Sequence, residues 1–105
     1  MNHRKAKLPI DPPGTLLLEE YLEPMGLTQK QVATATGIPY VRFNEIINGR
    51  RRISAEYSIR LGRYFGQHES FWHQLQSDTD LRRTQAAKGR QIACEVRPAG
   101  ELTSA

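Results

Sequence analysis

Apolar residues recur at helical spacing through most of the chain, and proline, glycine and asparagine interrupt them at intervals. A first helix is predicted from about Thr15 to Glu23, because leucine and tyrosine pairs lie four residues apart there. Asp11 or Thr15 could cap its start, and Pro24 cannot continue it cleanly. The pattern therefore predicts a short amphipathic helix ahead of the central part of the chain.

The central stretch from Leu27 to Arg52 predicts two short helices joined by a turn at Gly37. Thr28 and Gln31 have the spacing of a capping box at the start of the first of these helices. Pro39 suits the first turn of the second helix, where a missing N–H costs nothing. That helix buries Phe43, Ile46 and Ile47 before Asn48 and Gly49 stop it. This is the pattern of a helix-turn-helix, whose second helix lies in the major groove of DNA.

Two more helices are predicted after the basic loop at residues 49–53. Ser54 caps a fourth helix from about Ala55 to Phe65, with Ile59 and Gly62 beside its inner face. The inner stripe itself consists of Ser58, Leu61 and Phe65. A fifth helix starts at about Ser70 and continues with weaker amphipathicity through residues 81–90, and the segment QIACEV after it fits either a helical turn or a short strand.

The predicted elements form one small all-α domain of five helices. We divide the chain into a basic arm at residues 1–12, the helix-turn-helix domain at 13–84, and a C-terminal dimerisation extension and tail at 85–105. The arm contains Arg4, Lys5 and Lys7, which could enter a minor groove or form a disordered tail.

Charge is distributed unevenly along a chain whose net charge is +4. Residues 11–27 contain four acidic residues and no basic ones, whereas residues 28–66 contain seven basic residues against Glu45 and Glu56. Positive charge therefore concentrates on the helix-turn-helix, as binding to a polyanion requires.

Several other classes of protein are disfavoured by the sequence. The chain has no glycine-rich phosphate loop, nucleophile elbow or metal signature, so an enzyme is not expected, and no cofactor is predicted. No stretch approaches the ~20 apolar residues that cross a bilayer. The basic N-terminus lacks the apolar region of a secretory signal, and a lone Cys94 fits a reduced cytoplasmic thiol.

The outward face of the second motif helix contains the candidate base readers. With its apolar residues turned inward, Tyr40, Val41 and Asn44 point away from the core and lie near the end that reaches base edges. Val41 can pack on a thymine methyl, and Asn44 can pair with adenine. Glu45 could accept from cytosine or form an ion pair with Arg42, which is itself expected to bind phosphate.

Phosphate contacts are expected on either side of this helix. Gln29 and Lys30 begin the first motif helix, where backbone N–H groups and the helix dipole favour an anion. Arg50, Arg51 and Arg52 leave the second helix along the direction of the DNA backbone.

Dimerisation is expected because one such module gives little specificity. The candidate interface is the fifth helix, at Phe71, Trp72 and Leu75. Adjacent aromatic residues project about 100° apart on a helix, so one of Phe71 and Trp72 could pack on the fourth helix while the other meets a partner subunit. The alternative is that both close the domain's own core.

Four strings of residues resemble a known family, the HigA antitoxins of the XRE (Cro/C1-type) helix-turn-helix superfamily. These strings are PPGTLLLEEYLEPMGLTQKQVA, RFNEIINGRRRIS, RLGRYFG and ESFWHQLQSDTDL, and together they span roughly residues 12–83. Ser58 and Gly62 stand where the family pattern leads us to expect alanine, which predicts a loosened fourth helix.

The resemblance implies a homodimer that represses its own operon by binding operator DNA. It also implies a protein partner, a HigB-type mRNA endonuclease toxin that the protein neutralises. An acidic patch at Glu19, Glu20 and Glu23 could receive such a basic partner, since complementary charge accelerates association. The alternative, which the residues alone favour, is that these three side chains are solvated helix surface. The alternative function is that of a stand-alone transcriptional regulator of the XRE type without a toxin.

Overall fold

Five helices lie between Pro13 and Glu95 in the computed structural model, which describes residues 11–100. Helix α1 consists of the consecutive stretches Pro13–Leu16, Leu17–Leu22 and Glu23–Met25, and the others are α2 (Gln29–Thr36), α3 (Tyr40–Ile47), α4 (Ala55–Phe65) and α5 (Phe71–Glu95). The all-α prediction with five helices is confirmed. Arg4, Lys5 and Lys7 lie outside the described residues.

Helix α1 is longer than predicted, and its middle is wound as a π-helix. It starts at Pro13 after Pro12 in the N-cap position, without a side-chain cap, so the predicted cap at Asp11 or Thr15 is wrong. The N–H of Glu23 donates to the carbonyl of Leu18, five residues earlier. Pro24 has no N–H and its ring crowds the carbonyl four residues before it. The wider π turn accommodates this ring, and the helix continues to Met25.

The core draws apolar side chains from all five helices and from the connections between them. The buried apolar residues are Leu17, Leu22, Val32, Ala33, Ile38, Phe43, Ile46, Ile47, Ile53, Leu61 and Trp72. All three apolar residues predicted to face inward from α3 are among them. Ile59 is not, because it lies on the outer side of α4 with 41% of its surface exposed.

An aromatic cluster joins α1, α4 and the start of α5. The rings of Tyr21 and Trp72 lie 5.3 Å apart, and those of Tyr21 and Phe65 lie 5.1 Å apart. Gln67 connects the two polar groups of this cluster. Its side-chain oxygen accepts from the indole N–H of Trp72 at 2.6 Å, and its amide nitrogen donates to the hydroxyl of Tyr21 at 2.9 Å. Trp72 is thus held in the chain's own core with its one donor satisfied.

The predicted loosening of α4 at Ser58 and Gly62 does not occur. Ser58 is buried, its hydroxyl donates to the carbonyl of Glu69 at 2.6 Å, and it accepts from the N–H of His73 at 2.9 Å. A Cβ on Gly62 would lie 2.9 Å from the carbonyl oxygen of His68. Both residues therefore tighten the junction between α4 and the start of α5, since alanine could neither make these hydrogen bonds nor allow this approach.

Helix α5 extends well past the core. The segment QIACEV, which fits a helical turn or a strand by sequence, continues the helix as far as Glu95. At 1.5 Å per residue, its 25 residues measure about 37 Å. Trp72, Gln76 and Thr79 are its buried residues, and residues 81–95 are almost entirely exposed. The second half has weak amphipathicity and therefore no apolar face to pack against the rest of the chain.

Candidate DNA-binding surface

The two motif helices are terminated and joined as the sequence predicted. Thr28 accepts from the N–H of Gln31 at 3.0 Å, and the Gln31 side chain accepts from the N–H of Thr28 at 2.8 Å, which completes the capping box. Gly37 ends α2 with φ of 77°, in the left-handed region that favours glycine. Pro39 occupies the N-cap of α3, one residue before the predicted position. The local chemistry of the turn therefore fixes how α3 leaves α2.

Sequence reasoning missed one residue that stabilises this turn. The guanidinium of Arg60 on α4 donates to the carbonyl of Thr36 at 2.9 Å, at the end of α2, and also binds Glu56 at 3.0 Å. Cations are favourable at a helix C-terminus, where carbonyl groups lack partners. The only available signal was an arginine on the outer face of α4, which resembles any solvated charge.

The outward face of α3 presents two of the predicted readers directly to solvent. Tyr40 is 51% exposed and Val41 is 61% exposed, whereas Phe43 behind them is fully buried. Arg42 is exposed beside them. The exposed side chains of Tyr40 and Val41 at the start of α3 suit van der Waals contact with bases.

Asn44 is only half-buried, and its amide already has partners within the motif. Its nitrogen donates to the side-chain oxygen of Gln29 at 2.9 Å, and its side-chain oxygen accepts from Asn48 at 3.1 Å. The bond to Gln29 joins the start of α2 to the middle of α3. The structure therefore brings together one predicted phosphate ligand and one predicted base reader, whereas Lys30 stays exposed nearby.

Glu45 is an ion-pair partner for two arginines. Its carboxylate lies 2.7 Å from Nε of Arg51 and 3.5 Å from an Nη of Arg42. The hydrogen bond from Arg51 holds the pKa of Glu45 below its ordinary value, and the charge of Arg42 adds to this effect. The sequence left two roles open for Glu45, accepting from cytosine or pairing with Arg42, and the pair with Arg42 is present in the protein without DNA. Arg51 is a second and closer partner, which sequence spacing did not suggest.

The basic loop after α3 is anchored to α5. Arg52 pairs with Asp80 through Nε, at 2.9 Å, and through a terminal nitrogen. The N–H of Ile53 donates to the side-chain oxygen of Gln76 at 2.9 Å, and Gln76 donates in turn to Asp80 at 3.1 Å. Arg50 is exposed and forms no ion pair with any residue of the described part.

Helix α1 supports the recognition helix α3 from behind through a backbone contact. Gly14 is buried, and a Cβ placed on it would lie 2.8 Å from the carbonyl carbon of Ile46 and 3.0 Å from Cα of Ile47. Only a residue without a side chain permits this approach. The orientation of α3 therefore depends on the first turn of α1.

The predicted interface residues of α5 have three different environments. Phe71 is 37% exposed, Leu75 is partly buried, and Trp72 is completely buried. Trp72 has no surface left for a partner subunit, so its assignment to a dimer interface is wrong, because packing against α1 and α4 takes up the whole ring. Among the acidic residues of α1, Glu20 and Glu23 are exposed, whereas Glu19 is half-buried.

Residues 11–100 contain no group of three or more His, Cys, Asp or Glu residues placed to hold a metal ion. No helix within that range combines the length and apolar character needed to cross a bilayer. Cys94 lies exposed on α5.

A capped pair of helices, an exposed α3 face and a basic loop beside it define a helix-turn-helix DNA-binding protein. A model of the helix-turn-helix family matches residues 18–72. Among solved structures, the Pseudomonas aeruginosa antitoxin HigA with the higBA promoter has a TM-score of 0.79 and 37% identity, covering 85% of this chain and 99% of that one. Another Pseudomonas aeruginosa structure, of a protein in complex with its operator DNA, has a TM-score of 0.81 and 38% identity, covering 84% of this chain and 93% of that one.

Sequence comparison also finds a relative that matches most of the chain. Virulence-associated protein I of Dichelobacter nodosus is 39% identical over 84 residues, which cover 80% of this chain and 78% of the relative. The chain belongs to the helix-turn-helix family, in its XRE branch, and its neighbours include HigA-family antitoxins. It is a DNA-binding protein and not an enzyme, and the resemblance to HigA drawn from the sequence is confirmed.

Proposed function

We propose that this protein binds operator DNA as a homodimer, represses its own operon, and neutralises a HigB-type mRNA endonuclease toxin in the cytoplasm. The observation that carries the DNA half is the α3 surface. Tyr40 and Val41 stand exposed at its start, next to the Gln29–Asn44 hydrogen bond that fixes α2 against α3. Reading bases requires side chains held at a fixed depth, and this bond supplies that rigidity.

Phosphate binding is the second part of the DNA proposal. Arg51 uses Nε for Glu45, and the remaining N–H groups of its guanidinium can reach a phosphate. We expect Arg51→Ala to weaken operator and unrelated DNA alike, and to lower the salt slope of binding by about one unit. Arg63→Ala is the matched control, because Arg63 is exposed on α4 and paired with Glu69 at 2.7 Å. Equal salt slopes for Arg51→Ala and the unmodified protein would contradict the phosphate role.

The dimer would use the exposed side of α5, with Phe71 as the candidate contact. Two-fold symmetry would place two α3 helices in successive major grooves, about 34 Å apart. We expect Phe71→Ser to raise the dimer dissociation constant in sedimentation experiments. Tyr64→Ser is a close control, since Tyr64 is also 37% exposed and also makes an edge contact with a neighbouring ring. If both variants change the dissociation constant equally, Phe71 is not an interface residue.

Support for a toxin partner comes from relatedness to the Pseudomonas aeruginosa antitoxin HigA. The test is co-expression with the neighbouring gene, followed by pull-down and by a growth-rescue assay. Rescue by the unmodified protein and by Arg51→Ala would separate neutralisation from DNA binding. A protein that binds its operator but neither captures nor neutralises the neighbouring product would be a stand-alone XRE-type regulator.

The toxin-contact surface is assigned to the acidic residues of α1. Glu20 and Glu23 are exposed there, and Glu19 is half-buried. Charge reversal of Glu20 and Glu23 to lysine should slow association with a basic toxin, most strongly at low salt. Undiminished co-purification at moderate salt would exclude this surface, and retained operator affinity of the same variant is the control for folding.

A further inference from the structure

A small concavity lies where the basic loop, the start of α1 and helix α5 meet. Its volume is about 90 Å³. Four arginines line it, three from the loop and one from α5, together with Gln76. These are Arg50, Arg51, Arg52 and Arg83. A site of this size surrounded by guanidinium groups has the dimensions and the charge of a receptor for one tetrahedral oxyanion, because arginine matches phosphate oxygens in pairs.

Two of the arginines at this concavity are paired with carboxylates but keep unused N–H donors. Glu45 binds Arg51 and Asp80 binds Arg52, each at one edge of the guanidinium. A guanidinium has five N–H donors, so those not used by the carboxylate remain available to a further acceptor. Arg51 and Arg52 therefore keep donors for a further acceptor, and Arg50 beside them forms no ion pair within residues 11–100.

Helix α5 positions Arg52 through a chain of hydrogen bonds. Gln76, which is 3% exposed, accepts from the N–H of Ile53 and donates to Asp80, and Asp80 receives Nε of Arg52. The hydrogen bond from Arg52 and the nearby charge of Arg83 both lower the pKa of Asp80, so it is ionised at neutral pH. The loop and α5 are therefore joined by polar contacts that order the concavity before any ligand arrives.

We propose that this concavity binds one backbone phosphate of duplex DNA, with Arg83 of α5 as a ligand and with Asp80 as a positioning residue for Arg52. The proposal rests on the DNA-binding function proposed above and extends the contact surface beyond the motif to a helix that follows it. It makes the phosphate site a joint property of the loop and α5. A change in the angle of α5 would then change the affinity for DNA.

The first experiment compares Arg83→Ala with Arg82→Ala in titrations of operator DNA over a range of salt concentrations. Arg82 is adjacent on α5, is paired with Asp78 at 3.2 Å, and does not line the concavity. Arg83→Ala should lower the salt slope by about one unit, whereas Arg82→Ala should leave it nearly unchanged. Equal slopes for the two variants would overturn the assignment, because the effect would then be only that of net charge.

The second experiment uses Asp80→Asn, for which two explanations predict opposite signs. If Asp80 were merely a negative charge near DNA, its removal would tighten binding. If it positions Arg52, its removal should weaken binding and bring the salt slope toward that of Arg52→Ala, and Asp80→Glu should restore part of the loss. Tighter binding by Asp80→Asn would overturn the positioning role.

A third measurement distinguishes the source of the phosphate and separates this proposal from the DNA-binding function itself. Arginine side-chain N–H signals are followed by NMR while inorganic phosphate is added to the unmodified protein and to Arg83→Ala. Weak, non-saturating shifts together with tight operator binding support a phosphate of the DNA backbone. Saturation by inorganic phosphate in a protein that does not bind operator would show a free-anion site and would overturn both the DNA source and the proposed function. Operator binding that is normal in Arg83→Ala would overturn the site alone.

Discussion

Replacing Gly14 by alanine tests whether the recognition helix is seated by α1. The new Cβ would lie 2.8 Å from the carbonyl carbon of Ile46 and nearer still to its oxygen. These are backbone atoms of α3, so no side-chain rotation can relieve the clash. We expect α1 and α3 to separate by about 1.5 Å, because the Cβ would start far inside the 3.4 Å at which ordinary contact with the carbonyl oxygen of Ile46 begins. The cost should be about 1–3 kcal/mol, as for an overpacked core.

Helix propensity acts in the other direction at this position. Alanine is favoured over glycine in a helix by about 0.5–1 kcal/mol, so the net destabilisation of Gly14→Ala should be about 1–2 kcal/mol. For a domain of this size, 1 kcal/mol lowers the Tm by about 4–8 °C. Thermal and urea unfolding measure the stability, and titration of operator DNA measures whether α3 has moved.

Gly89→Ala is the matched control for Gly14→Ala. Gly89 lies on α5, and a Cβ added there would have Cβ of Gln85 as its nearest neighbour, at 4.0 Å, an ordinary contact. Without a clash, this substitution should stabilise the protein by about 0.5–1 kcal/mol. A Gly14→Ala protein as stable as the unmodified one, with normal affinity for DNA, would refute the idea that this backbone contact seats the recognition helix.

Other substitutions test the remaining contacts. Trp72→Ala should cost about 3–5 kcal/mol, because the ring is fully buried, and urea unfolding would show it as a lowered midpoint. Gln76→Leu should cost about 1–3 kcal/mol by leaving the N–H of Ile53 buried without an acceptor, and faster amide exchange at that N–H would be the specific sign. Asn44→Ala should weaken operator binding by about 1–3 kcal/mol and relax preference at one base position, whereas equal weakening of scrambled DNA would exclude base reading. Asp80 has a lowered pKa in the folded chain, so its stabilising contribution is present above the pKa of the unfolded chain and is lost as pH falls below about 4. Between neutral pH and acid, Asp80→Asn should therefore lose less stability than the unmodified protein.

Local patterns in the sequence were sufficient to predict the helix-turn-helix. The capping box at Thr28, the left-handed Gly37 and the buried face of α3 each follow from residues within a few positions of one another. Such contacts depend on local backbone chemistry, which sequence spacing reports directly. The fold class and the outward face that includes Tyr40 and Val41 could be predicted for the same reason.

The contacts that the sequence did not predict join residues far apart in the chain. Arg52 meets Asp80 across 28 residues, and Arg60 reaches Thr36 across 24. Helical spacing places a residue on a face but does not say which side chain from another helix lies opposite. Phe71 and Trp72 show the same limit: only the packing of α1 and α4 decides which of the two adjacent rings is buried.

The π turn of α1 has a cause that is visible in the sequence as Pro24. By local rules this proline predicts the end of the helix, whereas the chain widens the turn before it and continues to Met25. Leu17 and Leu22 are buried in the core and hold α1 in place on the N-terminal side of Pro24. The helix can therefore accommodate the proline by a π turn and does not end before it.

The hydrogen bond from Ile53 to Gln76 has a consequence for how this module could be transferred between proteins. The family model matches residues 18–72, yet Gln76, which holds the backbone of the basic loop at Ile53, lies four residues beyond that range. A chimera built from residues 18–72 alone would keep the recognition helix. It would lack Gly14, which packs against the backbone of that helix, and Gln76, which holds the basic loop. A segment meant to keep both contacts should therefore begin at Pro13 and extend past Gln76.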